Sequence, residues 1–390
     1  MKRIISIILA TVLILSSISI FASAEVIEND ATLKFNSDGK FKILHIADIQ
    51  DTPAVAPITL DYIAKTCDAE QPDLIVLGGD NAAGAAGQGS TEEKALRNMA
   101  KTLGSFMSIF EEKNIPTAVV FGNHDDSPRH NITKEMQMEI FNSYDCCIAI
   151  DEGEDIYGCG NYNIPVMSSD GKKTAYNLWF FDSNSHCPIP DCDCGEYDWV
   201  HDDQVDWYVK KSNELKKANG GKVVPSMAFQ HIAVSEIFEI REKGTLISGG
   251  INEGSCPSLH SSKQVSSMMK QGDVQAVFFG HDHNNTFQIS YKGMDFVNTP
   301  TAGFSSYGDS NRGIRVIELD ENDTSTYKTR LVNYYKTYCT SASEICRYKM
   351  NGKEYNDFIR ALNGIRYFYL ALSEGKSFFS ICKEIHCIIN

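Results

Sequence analysis

The stretch TAVVFGNHD, residues 117–125, carries the pattern on which the assignment of this fold depends. Its first five residues, Thr117–Phe121, are apolar or β-branched and predict a buried strand. A glycine and three polar residues, Asn123, His124 and Asp125, follow at once. In sheets of parallel strands, functional groups gather just beyond the carboxyl ends of the strands. The stretch therefore predicts a strand with a polar site at its end.

Two earlier segments repeat this arrangement. Phe41–Ala47 predicts a strand and is followed by Asp48-Ile49-Gln50, while Leu74–Leu77 precedes Gly78-Gly79-Asp80. The residues between the predicted strands have a helical period. In Ser90–Asn114, apolar residues recur at steps of three and four, and Ser90 with Glu93 fits a capping box.

The second half adds donors after two more predicted strands. His231 follows Val223–Gln230, and Gly280-His281-Asp282-His283 follows Val274–Phe279. Each piece alone is ambiguous, because a carboxylate after a strand is often a helix N-cap and a lone histidine is often a core residue. Together they supply oxygen and nitrogen donors beside glycines, as a cluster of divalent metals requires. Since side chains alternate along an extended segment, His281 and His283 are expected to point the same way.

This order of elements predicts the α/β class, with the sheets layered against helices. The other predicted helices are Ile58–Gln71, Asp203–Lys217 and Ser262–Gln271. The other predicted strands are Tyr176–Phe181, Thr286–Tyr291, Asp295–Asn298, Gly313–Leu319 and Tyr327–Asn333. Residues 336–390 have weak periodicity and no assigned role.

The composition argues against two classes of binding partner. The chain has 390 residues, 42% hydrophobic and 22% charged, with a formal net charge of −15. Sequence-independent binding to nucleic acid or anionic lipid uses a basic face, so this composition argues against both. A negatively charged ligand must then be held by a local feature, such as a metal.

The first 24 residues have the pattern of a signal peptide. Lys2 and Arg3 precede the apolar run Ile4–Ile20, and Ala22-Ser23-Ala24 supplies a cleavage pattern. An uncleaved membrane anchor is the alternative, but the run is short and broken by serines. We expect a secreted or extracytoplasmic protein with no stable membrane insertion after cleavage.

Twelve cysteines in an exported chain make disulfides possible. The spacing of Cys187, Cys192 and Cys194 also fits a zinc knuckle. Because oxidation competes with thiolate ligation, we favour disulfides that pin the loops, with these three residues and Cys159 mostly paired.

The strand-end blocks resemble those of the calcineurin-like metallophosphoesterases, and four of that family's five blocks occur in order over roughly residues 41–335. The stretches Gly160–Asn163, Phe181–Ser183 and Tyr197–Trp199 resemble the purple-acid-phosphatase-like branch. The resemblance implies an α/β/β/α sandwich over residues 25–335. It also implies two divalent ions, manganese, zinc or iron.

The resemblance assigns a role to each strand-end donor. Asp80 would bridge the two ions, and Asp48 and His283 would bind the first. Asn123, His231 and His281 would bind the second. His124 would lie over the phosphate as the catalytic residue, with Asp125 holding its ring in orientation.

Two departures from the family pattern stand out. Gln50 occupies the place of the first-block histidine, so a weaker amide ligand or water would complete the first metal. Ala83 stands where purple acid phosphatases have a tyrosine ligand, so their tyrosinate-to-iron colour is not expected. His45 does not replace the missing ligand, because it should face the opposite side of its strand.

The implied function is hydrolysis of a small phosphorylated substrate by a hydroxide that bridges the two metals, most simply as a phosphomonoesterase. The alternatives are a phosphodiesterase or nucleotidase, and a non-catalytic binding scaffold. Substrate choice is expected to lie in the loops Gly153–Ser169 and Ser183–Asp198. Side chains there that could stack on a base or sugar are Tyr157, Tyr162, His186 and Tyr197.

Overall fold

Two β-sheets packed face to face, with helices on their outer sides, form the architecture. A computed structural model describes residues 33–127, 131–153, 155–193 and 195–389, so the predicted signal peptide lies outside the described residues. The helices are α1 (Pro57–Glu70), α2 (Glu92–Lys113), α3 (Lys134–Asn142), α4 (Asp202–Ala218), α5 (Ile237–Lys243), α6 (Gln264–Gln271), α7 (Tyr334–Tyr338), α8 (Ala342–Asn351), α9 (Asp357–Ser373) and α10 (Phe378–Ile389). None of the helices in this part of the chain has the length and apolarity to cross a bilayer.

The strands divide into a sheet of five and a sheet of eight. They are β1 (Leu33–Lys34), β2 (Lys40–Ile46), β3 (Leu74–Gly78), β4 (Thr117–Val120), β5 (Tyr162–Met167), β6 (Thr174–Phe180), β7 (Ser226–Phe229), β8 (Thr245–Ser248), β9 (Val274–Phe279), β10 (Gln288–Tyr291), β11 (Met294–Asn298), β12 (Gly313–Asp320) and β13 (Tyr327–Asn333). The smaller sheet has the order β13-β12-β2-β3-β4, and the larger β1-β5-β6-β7-β9-β11-β10-β8. Strands β2, β3 and β4 are parallel, as are β6, β7, β9 and β11.

Side-chain alternation in the larger sheet separates two cores. Phe180, Phe229 and Phe278 face the smaller sheet and join the core shared with α1 and α2. Trp179 and Phe279 lie on the opposite face and pack in the core that includes α4 and α5 residues. Successive side chains of a strand point to opposite faces, so a sheet that is covered on both sides buries both sets of side chains. The predicted α/β/β/α sandwich is confirmed.

One strand lies inside a segment predicted to be a loop at the mouth of the site. Strand β5 occupies part of Gly153–Ser169, and Tyr162, Ile164 and Val166 are its buried alternate residues. Pro165 interrupts the pattern and argues against a strand, but its side chain faces outward. The prediction of a loop was therefore wrong for this part.

The other differences are small. Helix α2 is capped by Thr91, whose side chain accepts a hydrogen bond from Lys94 N, one residue after the predicted Ser90. Of the cysteines predicted to be mostly paired, Cys159 is a buried free thiol, so the prediction was wrong for it, while Cys192 is disulfide-bonded. Cys194 lies outside the described residues.

Residues 336–390, here called the C-terminal segment, contain most of α7 and all of α8–α10. Their small core is separate from the other two: Cys346, Met350, Tyr367, Ala371 and Ile381. Arg347 ties the segment to the sandwich, since its guanidinium lies 2.6 Å from both Asp61 Oδ2 on α1 and Glu384 Oε1 on α10.

Candidate metal centre

The predicted strand-end donors converge at one edge of the sandwich. Strands β2, β3 and β4 deliver Asp48, Asp80 and Asn123 from the smaller sheet, and β7 and β9 deliver two histidines, His231 and His281, from the larger one. The carboxyl ends of parallel strands lie at the same edge of a sheet, so residues that are far apart in the sequence meet at that edge.

Two groups of ligand atoms share one carboxylate. Asp80, His231 and His281 form the first group, and Asp48, Asp80 and His283 form the second. Within each group the donor atoms lie within 4.8 Å of one another, and all five residues are buried. These five residues are called the candidate metal centre below. A shared carboxylate is the arrangement that two neighbouring ions require.

Hydrogen bonds orient two of the imidazoles. His231 Nδ1 lies 2.9 Å from Gly78 O, and His283 Nδ1 lies 2.8 Å from Tyr307 O. Since a carbonyl only accepts, Nδ1 carries a proton, and Nε2 is the ring nitrogen left to face the site. His231 Nε2 is 3.3 Å from Asp80 Oδ2, and His283 Nε2 is 3.3 Å from Asp48 Oδ1. Both Nε2 atoms thus face the carboxylates, where a cation would meet nitrogen and oxygen donors together.

Several buried polar atoms of this edge have no hydrogen-bond partner within the described residues. They are Asp48 Oδ1, Asn123 Oδ1 and His231 Nε2. A buried polar atom left unpaired costs about 1–3 kcal/mol, which coordination to a cation would remove. The residues present therefore fit divalent metal ions.

The electrostatics of the protein alone also favour a cation here. Burial opposes charge on His231, but the Asp80 and Asp48 carboxylates outweigh it and raise its pKa to about 10. Burial and the neighbouring His231 charge lower the pKa of His281 to about 3. In the protein alone, a proton on His231 thus balances part of the carboxylate charge that ions would otherwise neutralise.

The backbone is strained where the ligands leave the strands. Asp48, Gln50, Asp80 and His281 have φ values of 54°, 44°, 50° and 69°, a left-handed region that side chains other than glycine rarely adopt. His281 and His283 consequently do not lie on an extended segment, so that expectation was wrong. A turn after β9 sends them to different ligand groups.

Two glycines make room for the carboxylates. A Cβ on Gly122 would lie 2.3 Å from Asp80 Oδ1, and one on Gly280 would lie 2.6 Å from Asp48 Oδ2. The glycines beside the donors are therefore required by close approach.

Gln50 reaches the site through the end of its amide that cannot bind a metal. Its Nε2 donates to Asp80 Oδ2 at 3.3 Å, and its side chain is buried. A nitrogen that donates hydrogen bonds has no lone pair to offer a cation. In this arrangement Gln50 supports the shared carboxylate of Asp80, whereas the sequence predicts that its oxygen binds the first metal.

His124 lies at the mouth of the site. Its backbone N–H donates to Asp80 Oδ1 at 2.7 Å, its Nε2 lies 3.9 Å from Asp80 Oδ2, and its side chain is 44% exposed. It belongs to neither ligand group. The imidazole can therefore meet a substrate that enters from solvent.

Asp125 takes a different place from the one expected. Its carboxylate accepts hydrogen bonds from Gly122 N, Ala82 N, and both the backbone and side-chain nitrogens of Asn81. Both carboxylate oxygens are engaged by these donors in the interior, whereas the His124 side chain is 44% exposed. Asp125 holds together the loops after β3 and β4, so the expectation that it orients His124 was wrong.

The aromatic side chains that the sequence offers for stacking on a substrate differ in their contacts. Tyr162 is buried, and its hydroxyl donates to Val119 O at 2.8 Å, so it cannot meet a ligand. Tyr157 stacks on His201 at 3.9 Å. Tyr197 remains beside the site, with its ring edge-on to His281 at 4.5 Å, and His186 stacks on Tyr197 at 6.2 Å.

Sequence reasoning missed Tyr307. Its ring stacks on His283 at 3.9 Å and 4°, and its carbonyl accepts from His283 Nδ1. Tyr307 follows no predicted strand and belongs to no recognised block, so only the three-dimensional contact reveals it.

Residues 41–285 match the calcineurin-like phosphoesterase family. An Arabidopsis thaliana protein named probable inactive purple acid phosphatase 14 is 27% identical over 339 residues, covering 78% of this chain and 82% of that protein. The Saccharomyces cerevisiae phosphatase DCR2 is 25% identical over 340 residues, covering 77% of this chain and 55% of that protein. Among solved structures, a dimetal phosphatase from Danio rerio is 12% identical with a TM-score of 0.48, covering 75% of this chain and 99% of that one.

The family match spans more than half of the chain and contains all five residues of the candidate metal centre. Its boundaries also enclose the glycines and Asn123 that surround those residues. This chain belongs to the calcineurin-like phosphoesterase family.

Proposed function

We propose that the protein hydrolyses phosphate monoesters at a site that holds two divalent metal ions. The observation that carries this proposal is the sharing of Asp80 by two groups of buried ligand atoms. When bound, such a pair of ions polarises the phosphoryl group and activates water for attack. Manganese, zinc and iron all suit a set of imidazole and carboxylate ligands.

The chain's own residues supply the remaining chemistry. His231 and His283 are held by their Nδ1 hydrogen bonds in the orientation that turns Nε2 inward, and this supports a preorganised ligand set. His124, half-exposed above Asp80, can donate a proton to the departing alkoxide oxygen or stabilise charge on the phosphoryl group. Its exposure allows contact with substrate without a change of fold.

The rival function is a scaffold that binds metal or ligand without catalysis. The name of the Arabidopsis relative describes that protein as probably inactive, and Gln50 removes one imidazole from the family pattern. The residues that catalysis would need argue against a scaffold. The chain contains all five residues of the candidate metal centre together with Asn123 and His124. A scaffold would have no use for His124 at the mouth of the site. Catalysis is therefore the better-supported function.

The apolar run at Ile4–Ile20 supports the further proposal that hydrolysis takes place outside the cytoplasm. Ala83, which replaces the tyrosine ligand of purple acid phosphatases, supports the expectation that an iron-loaded protein lacks their colour. Both proposals concern the mature protein.

The test uses purified protein stripped of metal by a chelator and then titrated separately with Mn²⁺, Zn²⁺ and Fe²⁺. Hydrolysis of p-nitrophenyl phosphate should return as about two ions bind per chain. The diester bis-p-nitrophenyl phosphate should be cleaved more slowly. Asp80→Ala should bind metal weakly and lose activity by more than about 10⁴-fold, because both ions lose a ligand.

Asp38→Ala is the matched control, since it makes the same substitution at an exposed carboxylate outside both ligand groups, and it should keep activity. Full activity after exhaustive chelation would overturn the proposal. Two bound ions without hydrolysis of either ester would favour the scaffold, and faster cleavage of the diester would favour a phosphodiesterase.

A further inference from the structure

Helix α9 of the C-terminal segment has two apolar faces. Its inward face packs through Tyr367 and Ala371 into the small core. On another face, Phe358, Ile365 and Tyr369 are 74%, 60% and 68% exposed. Residues spaced at steps of three and four share a helix face, so a second apolar stripe runs along the outside. An ordinary surface helix has only one such stripe.

The stripe continues onto α10 through aromatic contacts. Phe368 lies 5.5 Å from Tyr369 and 6.0 Å from Phe378, whose ring is 6.0 Å from that of Phe379. Phe379 is 85% exposed. Tyr369, Phe378 and Phe379 are thus linked through Phe368. We call the exposed apolar residues of the two helices the apolar face: Phe358, Ile365, Tyr369, Leu372, Phe378 and Phe379.

A groove of about 680 Å³ lies along the same side of α9. Met350 from α8 and Ile385 from α10 contribute to its lining, together with Ile365 and Phe368. Arg360 and Asp357 supply the only charged lining among the described residues. Contiguous apolar surface of this kind marks an interaction site, because isolated hydrophobic residues at a surface have no such continuity.

The charge of the C-terminal segment is opposite to that of the rest of the protein. Residues 336–390 contain 8 Lys+Arg and 5 Asp+Glu, a net charge of +3. The other 335 residues contain 28 Lys+Arg and 46 Asp+Glu, a net charge of −18. Arg366 and Lys383 are exposed on the two helices that carry the apolar face. The negative charge of the whole chain conceals this local reversal.

We propose that the apolar face docks on an anionic lipid surface. Exposed aromatic and aliphatic side chains beside basic residues are the composition of helices that lie in a membrane interface. The acidic sandwich would be repelled by anionic lipid, so charge would also orient the protein with its C-terminal segment toward the membrane. A second copy is a poorer partner, because it would place two net-positive segments together.

This inference does not rest on the proposed phosphatase activity, since none of the apolar residues belongs to the candidate metal centre. The experiment is co-sedimentation of the full mature chain with vesicles of phosphatidylcholine, alone or with added phosphatidylglycerol. The protein should bind the anionic vesicles at least about tenfold more tightly, and salt should weaken binding. Soluble phosphate should not displace the protein.

The test variant is Ile365→Ser/Tyr369→Ser/Phe379→Ser, which should lose at least about tenfold in vesicle affinity. Leu246→Ser/Ile247→Ser is the matched control, because these side chains are 51% and 55% exposed on β8 of the sandwich. Arg366→Glu/Lys383→Glu should lose the preference for anionic vesicles. All variants should keep their hydrolytic rate on a soluble ester.

Equal vesicle binding by the triple variant and the β8 control would overturn the proposal, as would no binding by the unaltered chain. Light scattering provides a second readout. A dimer that the triple substitution dissociates, without vesicle binding, would identify the apolar face as a contact between copies and would also overturn the proposal.

Discussion

The candidate metal centre and the C-terminal segment depart from an ordinary folded surface in opposite ways. At the candidate metal centre, polar atoms are buried with no hydrogen-bond partner in the described part of the chain, and the backbone is strained. In the C-terminal segment, Ser341 and Asn356 cap their helices, yet large apolar side chains are exposed. Each region leaves groups unsatisfied by the chain itself, polar in one case and apolar in the other. The kind of unsatisfied group indicates the kind of partner.

Among the variants that test this comparison, the largest effect is expected at the mouth of the candidate metal centre. His124→Ala should lower turnover by about 10²–10⁴-fold, the usual contribution of a positioned acid–base group. Metal content should hardly change, because His124 belongs to neither ligand group. Steady-state kinetics and elemental analysis measure the two quantities. Loss of metal in this variant would show that His124 is a ligand.

The second prediction separates the stability of the C-terminal segment from catalysis. Ile381 is fully buried in the small core, so Ile381→Ala should destabilise that segment by about 3 kcal/mol through lost burial and a cavity. Hydrogen exchange of α8–α10 amides should accelerate while hydrolysis of a soluble ester continues.

Ile365→Ala is the matched control for this change, because the same residue type on α9 is exposed. It should change stability by no more than about 0.5 kcal/mol. If Ile381→Ala abolished hydrolysis, the two regions would be one cooperative unit and the comparison would fail.

The third prediction concerns the loss of folding stability at acid pH, which we attribute in part to a buried histidine of the sandwich. His45 is buried between the sheets, with Nδ1 2.8 Å from Thr299 Oγ1. Burial, followed by the Arg315 and His231 charges, lowers its pKa to about 3. A depressed pKa means that the unfolded chain binds the proton first, so stability falls as the pH drops below about 6.5. Between pH 7 and pH 5 the loss from this group should be about 2 kcal/mol.

Urea unfolding of the unaltered protein and of His45→Gln at both pH values measures this loss. The variant should be less stable at pH 7, and the difference should shrink at pH 5. All other titratable groups are present in both proteins, so the difference in pH dependence reports the contribution of position 45, including its interaction with His231. Equal pH dependence in the two proteins would assign the acid sensitivity to other groups.

The smallest predicted effect concerns Gln50. Gln50→His should increase the affinity for the first ion by about tenfold, because imidazole is a better donor than an amide for zinc-like or iron-like metals. The Gln50 amide moreover turns its nitrogen toward Asp80. Metal titration calorimetry measures the affinity, with Gln50→Ala as the control that removes only the hydrogen bond to Asp80. Unchanged affinity in Gln50→His would show that position 50 does not reach the ion.

The sequence was informative where local pattern and tertiary structure agree. Buried parallel strands produce continuous apolar runs, so β2, β3, β4 and β9 were predictable together with the donors at their ends. β5 was not, because Pro165 lowers the strand signal and the tertiary pairing with β6 overrides it. Asp125 was misassigned because spacing cannot tell which of two adjacent side chains turns inward.

The C-terminal helices were missed for a different reason. Helix α9 has apolar residues on two faces, which blurs the single-stripe period used to recognise a helix. Tyr307 contacts His283 from a loop that no motif marks, so its position depends on long-range packing. Local patterns thus predicted which donors meet at the end of the strands better than the residues that surround them.

The positive φ angles of Asp48, Asp80 and His281 have a consequence for how long the protein survives. Each costs roughly 1 kcal/mol in a residue with a side chain, and a bound ion offsets the cost only while it is present. The folded fraction should therefore follow the metal content of the surroundings. Where metal is scarce, the chain would open more often and be degraded sooner by proteases, so its abundance would report on metal supply.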